Sequence, residues 1–146
     1  IFLPYIFEEA FIMKLSYPVC IYPNDSNNGY TAIVPDLPGC VTCGDNIHEV
    51  FEMAIDAASG WVLTELEDGN KPPKASNIKD VIPNEYPDGF TSMLILDMDA
   101  YAEKYGEKAI RKNCTIPAWL NTQAELAGVN FSQILQEALT ERLHIQ

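Results

Sequence analysis

Arg111, Asn113 and Thr115 stand at alternate positions of the run Ile110–Ile116, with Ile110, Cys114 and Ile116 at intervening positions and Lys112 the one polar intruder among them. Extended backbone turns successive side chains to opposite faces, so the run predicts a strand that is polar on one face and mostly apolar on the other. The polar trio has the chemistry of base reading. Arg forks onto guanine, Asn pairs with adenine, and Thr hydrogen-bonds or touches a thymine methyl, while a two-stranded ribbon fits the DNA major groove. Any one of the three alone would read as an ordinary solvated strand face. A second feature follows at Asn130, which can cap a helix with Gln133 three positions on. The N–H groups near Phe131 and Ser132 would then form a seat for a phosphate.

Those residues must be held by the elements around them. Pro117 suits a first helical turn, where its missing N–H costs little, and Trp119, Leu120, Ala124 and Ala127 supply an apolar face. Gly128 suits a left-handed helix end, and a second helix from about Phe131 carries Ile134, Leu135, Ala138, Leu139 and Leu143 on one stripe. One strand and two helices in about forty residues cannot bury such faces alone, which predicts an intertwined homodimer. Whether dimers pair further into tetramers is left open.

The chain ahead of this module predicts a different arrangement. Leu15, Tyr17, Val19 and Ile21 alternate with Ser16, Pro18, Cys20 and Tyr22 as a first strand, and Pro18 places it at a sheet edge. Asn24–Gly29 is a polar loop and Tyr30–Val34 a second strand, giving an antiparallel hairpin. Pro35-Asp36-Leu37-Pro38-Gly39 stops it, and Cys40–Cys43 is a short third strand. Asn46 with Glu49 makes a capping-box-like start for the main helix, whose stripe is Ile47, Val50, Phe51, Ala54, Ile55, Ala58, Val62 and Leu66. Asp68–Pro73 ends the helix and a long loop runs to Gly89. Met93–Leu96 reads as a buried central strand, and Asp99–Tyr105 as a helical link ending at Gly106. The fold class is α+β, a small antiparallel sheet with one main helix. The predicted division is a 13–100 domain, a 101–108 linker and a 109–146 module.

The net charge of −12 is unevenly placed: residues 1–106 hold five Lys and 17 Asp or Glu, and residues 107–146 hold four cations and four acids. An acidic first module suits a basic protein partner, whereas a balanced second one can approach a polyanion. No run approaches the length of a membrane span, so no membrane association is expected. Ile1–Ile12 contains Glu8 and Glu9 but no Lys or Arg, which is wrong for a signal peptide. It is read as an upstream or cloning-derived extension ahead of Met13, and the chain as cytoplasmic. Cys20, Cys40, Cys43 and Cys114 lack the spacing of a secreted disulfide framework and are expected reduced.

Other chemistry is weighed and set aside. Cys40 and Cys43 with His48 form half a zinc site or a redox pair, but no second Cys pair follows. Glu49, Glu52 and Asp56 lie along the helix and Asp36 in a turn, a scatter that does not suit two-metal nuclease chemistry. Metal-dependent cleavage abolished by changing Glu52 or Asp56 would reverse that reading. No catalytic residues, metal ligands or cofactors are predicted, and the protein is expected not to be an enzyme.

The segment Ile110-Arg111-Lys112-Asn113-Cys114-Thr115-Ile116-Pro117-Ala118-Trp119-Leu120, continued by Gly128-Val129-Asn130-Phe131-Ser132-Gln133-Ile134-Leu135-Gln136-Glu137-Ala138-Leu139, resembles a ribbon-helix-helix domain. Gly29-Tyr30-Thr31-Ala32-Ile33-Val34-Pro35-Asp36-Leu37-Pro38-Gly39-Cys40, with the capped helix after it, resembles the N-terminal domain of HicB-type antitoxins. The resemblance implies a degenerate, partial ribonuclease-H-like domain followed by a DNA-binding ribbon-helix-helix module. It also implies two jobs: neutralising a HicA-type mRNA-cleaving toxin, and repressing the chain's own operon at double-stranded operator DNA. Arg111, Lys112, Asn113 and Thr115 would meet DNA, with Asn130, Phe131 and Ser132 at a phosphate; the toxin-contacting residues are not implied. The alternative is an orphan ribbon-helix-helix regulator whose first domain binds a ligand or oligomerises.

Overall fold

A computed structural model describes residues 13–25 and 28–145. The extension expected at residues 1–12, and Ser26 and Asn27 of the first loop, lie outside the described residues. Met13–Gly106 forms one compact unit, and the chain from Glu107 onward belongs to a second.

In the first unit the strands are β1 (Lys14–Pro23), β2 (Tyr30–Ile33), β3 (Val41–Gly44) and β4 (Phe90–Asp97), joined antiparallel in the order β3-β2-β1-β4. The main helix, α1 (Ile47–Glu67), covers one face. Its start is as the sequence predicts: Asn46 Oδ1 accepts the Glu49 N–H at 2.8 Å, satisfying an orphan amide of the first turn, and Glu49 Oε2 reaches back to accept the Asp45 N–H at 3.0 Å just ahead of the cap. Val50, Ala54, Ala58 and Val62 pack at four-residue spacing on Tyr17, Val19, Ile21, Leu94 and Leu96. Two alanines in that stripe bring the helix axis close to the sheet. Gly44 makes the closest approach, because a Cβ there would collide with the backbone of Val50.

The Pro35–Gly39 motif proves to be a structural hub. Leu37 is fully buried, the Val34 and Cys40 backbones bond across the turn at 3.1 Å, and the Trp61 indole of α1 donates to the Pro38 carbonyl at 3.0 Å. From the end of α1, residues 71–89 form a strap interrupted only by a 3-10 turn at Ile78–Asp80. Tyr17 Oη donates to the Pro73 carbonyl at 2.6 Å on the helix side of the sheet. On the other face Tyr22 Oη accepts the Glu85 N–H at 3.3 Å, and the Tyr22 and Tyr86 rings meet edge-on with centroids 5.4 Å apart. The strap thus covers the Tyr22 end of the sheet face that α1 leaves open, and Tyr17 to Tyr22 are buried without a break.

Three expectations are corrected here. β1 is an inner strand despite Pro18, because pairing to β2 begins only at Cys20 and Pro18 lies beyond that ladder. β4 is an edge strand rather than a central one; Leu94 and Leu96 face α1, while Met93 and Ile95 are exposed. Ile47 and Ile55 fall outside the core, and Ser59 and Leu63 lie inside it. The helical link expected at Asp99–Tyr105 is present: α2 (Met98–Tyr105) is capped by Asp97 and packs on α1, with the Met98 N–H bonded to Met13 O at 3.0 Å.

Candidate nucleic-acid interface

The second unit contains α3 (Ala118–Leu126) and α4 (Phe131–Arg142) after an irregular stretch from Glu107. The strand expected at Ile110–Ile116 is not formed within the single chain. A strand exists only when a neighbour accepts and donates its backbone hydrogen bonds, and no described strand lies beside this stretch. Arg111, Lys112, Asn113 and Thr115 are all exposed.

The helices follow the sequence closely. Pro117 precedes the first turn of α3, and its carbonyl accepts the Asn121 N–H at 3.0 Å. Gly128 adopts φ of 70°, the left-handed conformation that ends α3 and that a side chain would strain. Asn130 then caps α4, its Oδ1 accepting the Gln133 N–H at 3.1 Å. The first helical rung is Ile134 N–H to Asn130 O, so the amides of Phe131 and Ser132 stand ahead of it at the positive end of the helix. That end can hold an anion.

Charge in this unit is uneven. The stretch before α3 holds Lys108, Arg111 and Lys112 against Glu107, whereas the helices hold Glu125, Glu137 and Glu141 against Arg142. The cation-bearing stretch is the part able to lie on a phosphate backbone, and the helical faces are not.

Several acids of the first unit have side-chain or backbone partners, among them Glu49, which caps α1, Glu52, 3.1 Å from His48 on the exposed surface, and Asp36, which holds Ser76. Cys40 is buried in the core and Cys43 is exposed. Among the described residues no three His, Cys, Asp or Glu side chains stand where they could hold a metal ion, and no helix is long and apolar enough to cross a membrane.

The chain is thus two-part, an acidic α+β unit followed by a capped helical pair with a cation-bearing leading stretch. Residues 17–138 match the family model of the HicB-like antitoxin of bacterial toxin-antitoxin systems, and the chain belongs to that family. A 14.9 kDa protein of the rep-hol intergenic region of Haemophilus phage HP1 is 35% identical over 105 residues, covering 71% of this chain and 74% of the phage protein. Antitoxin HicB 1 of Photorhabdus laumondii is 38% identical over 68 residues, covering 46% of this chain and 43% of its own length. The fold is that of a chain in a toxin-antitoxin complex from Streptococcus pneumoniae, with TM-score 0.56, 24% identity, and 89% of this chain and 99% of that one covered. It is also that of the Burkholderia pseudomallei antitoxin HicB, with TM-score 0.52 and 23% identity, covering 89% and 97%.

Proposed function

We propose that the chain neutralises a HicA-type mRNA-cleaving toxin through its first unit and represses its own operon through its second, which binds operator DNA as a ribbon-helix-helix homodimer. The observation that carries this reading is that no described residue from Glu107 onward is buried. Trp119 is 64% exposed and Leu126 83%, and Ile116, Leu120, Phe131, Ile134 and Leu139 are exposed with them. Apolar side chains laid open at helical spacing are half of a core, and a second copy of the same segment supplies the other half.

Pairing also gives the stretch at 110–116 the partner it lacks. Two copies side by side form the ribbon, with Ile110, Cys114 and Ile116 turned inward and Arg111, Asn113 and Thr115 turned to base edges. Lys112 adds charge near the backbone, and Asn130, Phe131 and Ser132 seat a phosphate at each α4 terminus. Residues 109–146 then serve DNA, and residues 13–100, with α2, serve the toxin.

The test is a mobility-shift titration of the full chain on its own upstream DNA, beside sedimentation of the free protein. Dimer formation is expected, and Arg111→Ala with Asn113→Ala should cost about 1–3 kcal/mol for each lost bidentate contact. Operator binding unchanged in the double variant rejects the ribbon face. Growth rescue on co-expression with the product of the adjacent toxin gene tests the other half.

A further inference from the structure

The first unit distributes its acid unequally around the fold. Three of its five lysines, Lys71, Lys74 and Lys79, lie on the strap, whereas the exposed flank of α1 and α2 carries Glu52, Asp56 and Glu103 with Lys104 as its cation. On that flank a groove of about 510 Å³ runs between α1 and α2 and opens at the free edge of β4. Its apolar lining is Ile55, Ile95 and Tyr105, and its acidic rim is Glu52, Asp56 and Asp97. Ile95 is 68% exposed, and Ile55 has been left out of the core although it lies on the main helix. The walls are fixed. Tyr101 of α2 sits over Gly60 of α1, where a Cβ would come within 3.2 Å of its hydroxyl, and the Asp99 carboxylate anchors the Met13 N–H at 3.2 Å.

We propose that this groove is the docking site for the toxin, taken as a basic protein that presents cationic side chains around an apolar anchor; the inference rests on the function proposed above. A protein that grips RNA must carry Lys and Arg where the phosphates lie. The same surface is complementary to the acidic rim, so docking here covers the toxin's RNA-binding face. A second copy of this chain fits poorly, because an isologous contact sets the same acids against one another. Nucleic acid is repelled by the same charge. The strap side, with its lysines, offers a basic partner a weaker field.

The test uses the full chain and the purified product of the adjacent toxin gene, titrated by calorimetry. Ile95→Lys places a charge at the groove's open edge without touching the core, and Glu52→Lys reverses one rim charge; circular dichroism confirms that both fold. Each should weaken toxin binding by about tenfold or more, and Glu52→Lys should also flatten its dependence on salt. The control Glu85→Lys, on the strap, should bind within about twofold of the parent. Full-strength binding by both groove variants overturns the groove alone. A parent chain that binds no toxin removes the proposed function and the groove together. Unchanged toxin binding with an altered homo-oligomer mass in Ile95→Lys assigns the groove to a second copy and overturns the inference.

Discussion

The Asp36 carboxylate accepts both the backbone N–H and the hydroxyl of Ser76, at 2.8 and 2.6 Å, across forty positions of sequence. Asp36 belongs to the turn that anchors Leu37 in the core, so the bond ties the strap to a buried, hydrogen-bonded corner of the first unit. Asp36→Ala should lower stability by about 1 kcal/mol, as expected for a solvent-accessible charge-assisted pair, and should speed tryptic cleavage at Lys74. Urea denaturation and timed proteolysis measure the two effects. An unchanged cleavage rate would mean that the strap is held without this bond.

Asn46 caps the helix on which the core is built. Asn46→Ala should cost about 1 kcal/mol, seen as a lower denaturation midpoint with an unchanged slope, and Asn46→Asp should retain most of the stability.

The four thiols should react in two classes. Cys20 and Cys40 are buried, and burial pushes their pKa values up, which lowers the thiolate fraction as well as access. Cys43 and Cys114 are exposed in the single chain and should label rapidly with an aromatic disulfide reagent, the buried pair only on unfolding. The proposed ribbon adds a condition: Cys114 should become protected as concentration drives pairing. Full reactivity of Cys114 in a dimer would contradict its inward placement.

Alkaline pH should loosen the first unit through its tyrosines. Burial, and then the nearby charge of Asp36, raise the pKa of Tyr17; burial is also the first cause for Tyr22 and Tyr101. With the folded pKa above the unfolded value of about 10, the unfolded chain releases its proton first as pH rises. The stabilising contribution is complete below about pH 10 and is lost as pH climbs through the raised folded value. Tyr17→Phe removes the bond to Pro73 and should be less stable at neutral pH, yet show a shallower decline between about pH 9.5 and 11.5 in chemical denaturation.

Features decided by a few neighbouring residues were legible in the sequence: the Asn46 and Asn130 caps, the left-handed end at Gly128, the hairpin of β1 and β2. What was not legible depends on partners far along the chain. Pro18 reads as an edge residue until β2 is seen to start its ladder at Cys20, and the apolar run of β4 reads as central until its outer side is found uncovered. The Ile110–Ile116 alternation reads as a strand in the sequence, but in the single chain the stretch is irregular and no described strand lies beside it. For the candidate site the residue types were readable, whereas the groove at Ile55 and Ile95 joins positions forty apart and left no local mark.

A segment that keeps none of its own side chains out of water is shielded from cellular proteases only by its neighbours. In the proposed homodimer residues 107–142 gain that shield from a second copy, so their lifetime would rise with the number of copies at hand. Scarcity shortens the tail's survival and abundance lengthens it, so turnover at this one end reports the level of the whole protein.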